Sequence, residues 1–112
     1  MFNYFVLKYL KVTIENLNSC QNLKHLILRH NDLNSLFGLE KCRELWRLDV
    51  NNNRIKNLDG LTKFVALGTL NLHRNEFVWN ELEKIRHLHI VDLIITNNTK
   101  LDKDTNCWWK LL

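Results

Sequence analysis

Residues 45–55 read LWRLDVNNNRI, and the same phrase of leucine-type residues closed by an asparagine stands 22 residues earlier and 22 residues later. The earlier copy is LKHLILRHNDL at 23–33, and the later copy is LGTLNLHRNEF at 67–77. A period of about 20–50 residues indicates stacked units that are each too small to bury their apolar face alone. The asparagines that keep the 22-residue spacing form a predicted structural ladder: Asn31, Asn53, Asn75 and Asn97.

The half of each unit that follows the asparagine has a different period. After Asn53 the apolar residues advance in steps of three, at 55, 58, 61, 64 and 67. The combined pattern resembles the 22-residue intracellular class of leucine-rich repeats, found in phosphatase regulators, over residues 10–98. That resemblance implies an α/β leucine-rich-repeat solenoid of four to five repeats, with a curved parallel sheet on the concave side and turns and short helices on the convex side.

The chain divides by this pattern into one leucine-rich-repeat domain at 1–112. A degraded N-terminal repeat is predicted at 1–22, with Tyr4 and Val6 in the apolar strand slots. Regular repeats follow at 23–44, 45–66 and 67–87. The last strand and its turn are predicted at 88–98, with Leu88, Val91 and Leu93 facing the core and either Asn97 or Asn98 closing the turn.

The C-terminal stretch, 99–112, is predicted to be an atypical cap, because a solenoid needs its last repeat covered. Asp102 or Asp104 is expected to begin a short helix there. Trp108 and Trp109 either cover the open end of the array or dock a partner or further repeats. Residues 80–93, NELEKIRHLHIVDL, are similar to part of a long intracellular protein built largely of such repeats.

Alternate strand residues point away from the core, so the spacing predicts which side chains form the concave surface. Arginines and histidines make its centre basic, with carboxylates interrupting it, which suits an acidic or mixed-charge segment of a protein partner. The alternative is a merely solvated face. Ile90 and Ile94 are expected on either side of Asp92 on the last strand. The predicted partner-binding set is His25, Ile27, Arg29, Arg47, Asp49, Asn51, Thr69, Asn71, His73 and Asp92.

Two other functions stay open at this level. Five strands span roughly 19 Å, which is small for a globular partner, so the repeats either bind a short segment or form a structural part of a longer solenoid. A net charge of +4 permits a ribonucleoprotein-associated scaffold. Direct nucleic-acid binding is not favoured, because Lys100, Lys103 and Lys110 form no continuous stripe with stacking aromatics.

No catalytic, cofactor or metal site is predicted. His87, His89 and Asp92 lack zinc-ligand spacing, and no phosphate loop or nucleophile motif is present. Cys20 and Cys42 occupy one repeat slot and are read as small buried apolar residues. The sequence has no recognisable leader and no long apolar run, so the chain is expected to be intracellular and not to enter membranes. The cytoplasm is the expected compartment, and the nucleus and the cilium stay open. The chain is expected to be a monomer.

Overall fold

The computed structural model describes residues 4–6, 17 and 20–103. All its strands lie in one parallel sheet and are neighbours in chain order, so each connection crosses over to the next strand in the same direction. The predicted parallel sheet is therefore confirmed. Its five strands are β1 (Tyr4–Val6), β2 (His25–Ile27), β3 (Arg47–Asp49), β4 (Thr69–Asn71) and β5 (Asp92–Ile94).

Short turns and helical pieces return the chain from one strand to the next, as predicted. In the repeat before β3, the Cys42 amide donates to the carbonyl of Leu39 at 2.9 Å, which closes one turn of the three-residue period. In the later repeats, short helices take the place of these turns. They are a 3-10 helix at Asp59–Leu61, helix α1 at Trp79–Leu82, a 3-10 helix at Glu83–Ile85 and helix α2 at Thr99–Lys103.

The core is a ribbon between the sheet and these turns. Residues in the same slot of successive repeats stack on one another, as Leu26, Leu48 and Leu70 do, and all three are fully buried. Cys42 is buried in another such slot, and Cys20, in the same slot of the preceding repeat, is half-buried against the core. Burial raises the pKa of the Cys42 thiol to about 11, which keeps the thiol protonated and suits an apolar packing role.

Buried asparagine amides join the repeats. Oδ1 of Asn53 accepts the amide of Leu33 at 3.1 Å, and its Nδ2 donates to the carbonyls of Leu28 at 3.0 Å and Val50 at 2.9 Å. Asn75 repeats the arrangement one unit later, accepting from Ile55 at 3.0 Å. Each side chain therefore satisfies buried backbone groups of its own repeat and of the preceding one.

The fourth member of the ladder is Asn98, the alternative for the last turn, and not Asn97, which the 22-residue spacing predicted. Asn98 is fully buried, accepts the amide of Asn75 at 2.7 Å and donates to the carbonyl of Leu72 at 3.0 Å. The residue just before each ladder asparagine has a left-handed backbone, and Asn97, with φ 57°, occupies that position. The same conformation recurs in the preceding repeats at His30, Asn52 and Arg74.

The register at both ends of the sheet differs from the prediction. Strand β1 pairs Phe5 with Leu26, whereas the 22-residue spacing predicted Tyr4 in that position. Val6, predicted in the position of Leu28, pairs with Ile27. Strand β5 pairs Leu93 with Leu70, a spacing of 23 residues. Two extra residues separate Leu88 from that strand, and Val91, predicted to face the core, is 91% exposed.

The C-terminal helix begins earlier than predicted. Helix α2 starts at Thr99, so Asp102 lies inside it and does not cap its N-terminus. Leu101 of this helix is buried and joins the core, and its carbonyl accepts the indole N–H of Trp79 at 3.3 Å. Asp104, Trp108 and Trp109 lie outside the described residues.

Candidate functional site on the concave sheet face

Strand pairing arranges the outward residues in columns that run across the sheet. The first column holds His25, Arg47, Thr69 and Asp92, one from each of strands β2 to β5. The second column holds Ile27, Asp49, Asn71 and Ile94. A third follows the strand ends, with Arg29, Asn51, His73 and Thr96. The predicted surface residues are thus brought together, although Asp92 stands beside Thr69 and not beside Asn71 as the expected register implied.

Ile27 does not belong to the exposed surface for which it was predicted. It is only 6% exposed, although it is not a member of the main core cluster. The alternation of strand residues indicates on which side Ile27 lies, but the side chains around it determine its exposure. A partner would reach its neighbours before reaching Ile27.

Asp49 is held by its own neighbours. Its Oδ1 accepts the backbone amide of Asn51 at 3.1 Å and the side-chain amide of the same residue at 2.6 Å. Its Oδ2 lies 3.4 Å from a guanidinium nitrogen of Arg29, which is about half-exposed. Such a partly exposed ion pair contributes at most about 1 kcal/mol. The Asp49 carboxylate therefore already has hydrogen-bond and ion-pair partners within the chain, and the ion pair orients the Arg29 side chain.

Arg47 remains available in the first column. Its side chain is exposed and makes no ion pair with any other residue that the structure describes. A guanidinium presents a planar set of donors that fits a carboxylate with two parallel hydrogen bonds. The centre of the face therefore presents a guanidinium that no acidic side chain of the described residues pairs with.

His25 lies next to Arg47 and is half-buried. Burial lowers the pKa of His25, and the charges of Arg47 and Arg29 lower it further, against an opposing effect of Asp49. Its ring centroid stands 6.3 Å from that of Trp46, at an interplanar angle of 45°. His25 therefore favours its neutral form in the folded chain and contributes a flat, weakly polar surface to the face.

The polar side chains near the ends of β4 and β5 are held in place by hydrogen bonds. The ring Nδ1 of His73 lies 2.8 Å from the hydroxyl of Thr96, and the backbone amide of His73 donates to the side chain of Asn71 at 3.0 Å. Thr96 was not predicted, because the 23-residue spacing that places it beside His73 cannot be read from the regular repeats.

Another column, which was not predicted from the sequence, consists of the residues that directly precede strands β3, β4 and β5. Trp46 and Val91 are 46% and 91% exposed, with Gly68 between them. The 22-residue spacing does place Trp46 and Gly68 in one column, but the prediction considered only the positions within the strands. This column adds an exposed apolar edge to a face that otherwise is mainly polar.

The described residues hold no group of three or more histidine, cysteine or acidic side chains placed to share a metal ion. Within the same part of the chain, no helix has the length and apolar character needed to cross a membrane. Nε2 of His87 lies 2.8 Å from the carbonyl oxygen of Thr62, on the convex side. It is therefore engaged with a turn and not with the concave face.

Solved structures share this architecture. An internalin, InlF, from Listeria monocytogenes matches with a TM-score of 0.69 and 23% identity, over 73% of this chain and 24% of the internalin. Internalin C2 from the same bacterium matches with a TM-score of 0.66 and 20% identity, over 89% of this chain and 47% of that one. The chain has the leucine-rich-repeat fold.

A third leucine-rich-repeat structure comes from a plant. The ectodomain of the receptor kinase SOBIR1 from Arabidopsis thaliana matches with a TM-score of 0.54 and 19% identity, over 76% of this chain and 61% of that ectodomain. The chain thus spans between about a quarter and three-fifths of the length of these leucine-rich-repeat structures. No protein-family model and no curated protein sequence matches it.

Proposed function

We propose that this leucine-rich-repeat chain is a non-catalytic interaction module that binds an acidic or mixed-charge segment of a protein partner through its concave sheet face. The observation that carries the proposal is Arg47, an exposed guanidinium in the first column with no ion-pair partner in the described part of the chain. Around it, Asp49 and Asn51 hold each other by hydrogen bonds and form a preorganised polar surface.

The size of the sheet favours a short segment as the partner. Strands stack about 4.8 Å apart, so five of them span roughly 19 Å, whereas a standard interface buries about 800 Å² on each side. A single helix or extended stretch covers the columns from β2 to β5. The chain is accordingly proposed to act as a monomer that captures one element of its partner.

The repeat spacing supports two finer proposals, namely the 22-residue intracellular class and a location inside the cell, in the cytoplasm first. From the sequence of residues 80–93, we further propose that the chain comes from a long intracellular protein like leucine-rich repeat-containing protein 9. An antibody raised against the chain should then detect a much longer protein in cell extract. A single band near 13.5 kDa contradicts that origin.

Affinity capture from cell lysate tests the binding function. The chain and its Arg47→Glu variant are compared by quantitative mass spectrometry, with and without nuclease, and Lys63→Glu on the exposed convex side is the matched control. Arg29→Glu is a poorer choice, because it would place a second carboxylate beside Asp49. Arg47→Glu makes the same charge change without breaking an ion pair of the described chain.

Three outcomes separate the candidate functions. Proteins lost from Arg47→Glu but retained by Lys63→Glu support a partner on the concave face. Identical sets for all three chains indicate a passive segment of a longer solenoid. Proteins that disappear on nuclease treatment indicate a ribonucleoprotein-associated scaffold, for which steep dependence on salt is also expected.

A further inference from the structure

We propose that the edge of the concave face carries an anchor notch, made by Trp46, Gly68 and Val91, for one aliphatic side chain of a helical partner segment. Arg47 and Asp92, in the adjoining first column, are proposed to bind an acidic and a basic residue on either side of that anchor. This inference rests on the proposed function, because it specifies the kind of segment that the face accepts.

The backbone places the three notch residues side by side. The carbonyl of Trp46 accepts the amides of Gly68 at 2.8 Å and Thr69 at 3.0 Å, and the carbonyl of Gly68 accepts those of Val91 at 2.8 Å and Asp92 at 3.0 Å. One hydrogen-bonding pattern is thus repeated at neighbouring strand entries. It fixes the two exposed apolar side chains on either side of a position that has no side chain.

The glycine at the centre of the notch is not required by the backbone. A Cβ at Gly68 would meet nothing nearer than the carbonyl oxygen of Trp46 at 3.8 Å, which is an ordinary van der Waals distance. Its φ is also not among the positive values that favour glycine. A larger residue would fit the fold at Gly68, and its effect would be to fill the space between Trp46 and Val91.

The apolar walls of the notch are exposed to different degrees but both reach solvent. Trp46 is about half-exposed and its ring lies next to that of His25, whereas Val91 is almost fully exposed. Aromatic side chains that are partly exposed and held by a neighbour supply buried area on binding at low entropic cost. An aliphatic side chain seated on Gly68 would contact both walls.

Charge gives the partner segment a direction. Arg47 and Asp92 are exposed, carry opposite charges and make no ion pair within the described residues. They stand on strands β3 and β5, separated by Thr69 of β4, so their backbones lie about 9.6 Å apart. A segment crossing the strands therefore needs an acidic residue over β3 and a basic residue over β5.

A helix satisfies these distances. Residues i and i+7 of an α-helix lie on one face about 10.5 Å apart along the axis, and residues i+3 and i+4 lie between them on that face. An acidic residue at i, an aliphatic residue at i+3 or i+4 and a basic residue at i+7 match Arg47, the notch and Asp92 in order. Helices that dock by such spaced anchors are a common form of peptide recognition.

Selection from a displayed peptide library tests this pattern. The probe is a library of 16-residue helical peptides randomised at i, i+3, i+4 and i+7, selected on the whole chain. The selected peptides are then measured by fluorescence anisotropy against the parent, Gly68→Leu, and the Lys63→Glu control. We expect the acidic, aliphatic and basic order in the selected peptides, and binding to Gly68→Leu weakened about tenfold or more with Lys63→Glu unchanged.

A second selection reverses the charges. On the Arg47→Glu/Asp92→Lys double variant, the basic residue is expected at i and the acidic residue at i+7. Peptides without this order, peptides that bind Gly68→Leu as tightly as the parent, or no selected peptide at all would each overturn the inference. Circular dichroism of every variant shows whether the repeats have kept their fold.

The same variants separate failure of the notch from failure of the proposed function. If lysate proteins lost from Arg47→Glu are retained by Gly68→Leu, the concave face binds a partner but the notch is not its anchor. If Gly68→Leu loses the same proteins and the selected peptides compete for them, both the function and the anchor are supported. If neither variant loses any protein, both proposals fail.

Discussion

Replacing Asn53 by alanine is expected to destabilise the chain because this side chain joins two repeats at a buried position. Its Oδ1 accepts the amide of Leu33 at 3.1 Å, and its Nδ2 donates to the carbonyls of Leu28 at 3.0 Å and Val50 at 2.9 Å. Alanine removes these bonds, and because the position is buried, water has little access to the backbone groups that lose their partner.

The neighbouring ladder residues limit the damage. The carbonyl of Leu28 also accepts from Asn31 at 2.8 Å, and that of Val50 also accepts from Asn75 at 3.0 Å, so both keep a partner. Only the amide of Leu33 loses its bond outright, at a cost of about 1–3 kcal/mol, to which the lost amide donations add about 1 kcal/mol. The total is about 2–4 kcal/mol, which for a chain of this size lowers the melting temperature by about 10 °C or more.

Thermal and urea unfolding followed by circular dichroism measure this effect. Asn34→Ala is the matched control, because Asn34 is exposed and its side chain makes no hydrogen bond to another described residue. A change within about 0.5 kcal/mol is therefore expected. A melting temperature of Asn53→Ala equal to that of the parent, or an equal loss of stability in Asn34→Ala, would contradict this role of the Asn53 side chain.

The remaining predictions concern backbone fit and pH. Asn98→Ala should lower the melting temperature, whereas Asn97→Gly should leave it near that of the parent, because glycine accepts a φ of 57°; equal losses would contradict the corrected ladder. Gly60→Ala should cost about 1–3 kcal/mol in urea unfolding, since its Cβ would lie 2.6 Å from a backbone oxygen of the preceding repeat, while Gly68→Ala should be neutral. The pKa of His25 lies below its ordinary 6.5 in the folded chain, so its neutral form stabilises the fold above that value and the contribution is lost as the pH falls through the folded pKa. The fall in melting temperature between about pH 7.5 and about pH 5 should therefore be smaller in His25→Gln than in the parent, and an unchanged slope would contradict this.

The 22-residue spacing was enough to predict the regular part of the fold. It gives the register of β2, β3 and β4, the buried ladder residues Asn53 and Asn75 and the three-residue turns of the convex side. In this part each repeat stacks on a copy of itself, so one spacing fixes both the sheet and the core.

The last repeat was mispredicted because its sequence fits more than one register. Leu88, Ile90, Val91 and Leu93 crowd four apolar residues into six positions, and apolar spacing alone cannot choose among them. The structure leaves Val91 exposed and has two extra residues before β5, while the preceding convex half is one residue shorter than in the other repeats. The net gain of one residue moves the ladder position from Asn97 to Asn98. In the structure this register is joined to β4 by hydrogen bonds from the amides of Val91 and Asp92 to the carbonyl of Gly68.

The concave face could be predicted only in outline. Alternation along the strands correctly indicated which side Arg47 and Asp49 occupy, but it gave no measure of how neighbours cover Ile27 or pair Asp49 with Arg29. Those properties depend on contacts between strands. The column that contains Trp46 was missed because it precedes the strand positions to which the alternation applies.

Site-specific photo-crosslinking tests whether the concave face of the sheet binds a protein partner. A benzophenone amino acid is placed at Thr69, in the middle of the first column, or at Lys63 on the convex side, and each chain is irradiated in cell lysate. We expect discrete protein adducts from position 69 that an excess of unlabelled chain abolishes, and none from position 63. Equal adducts from both positions, or none from position 69, would contradict a partner-binding role for the concave face.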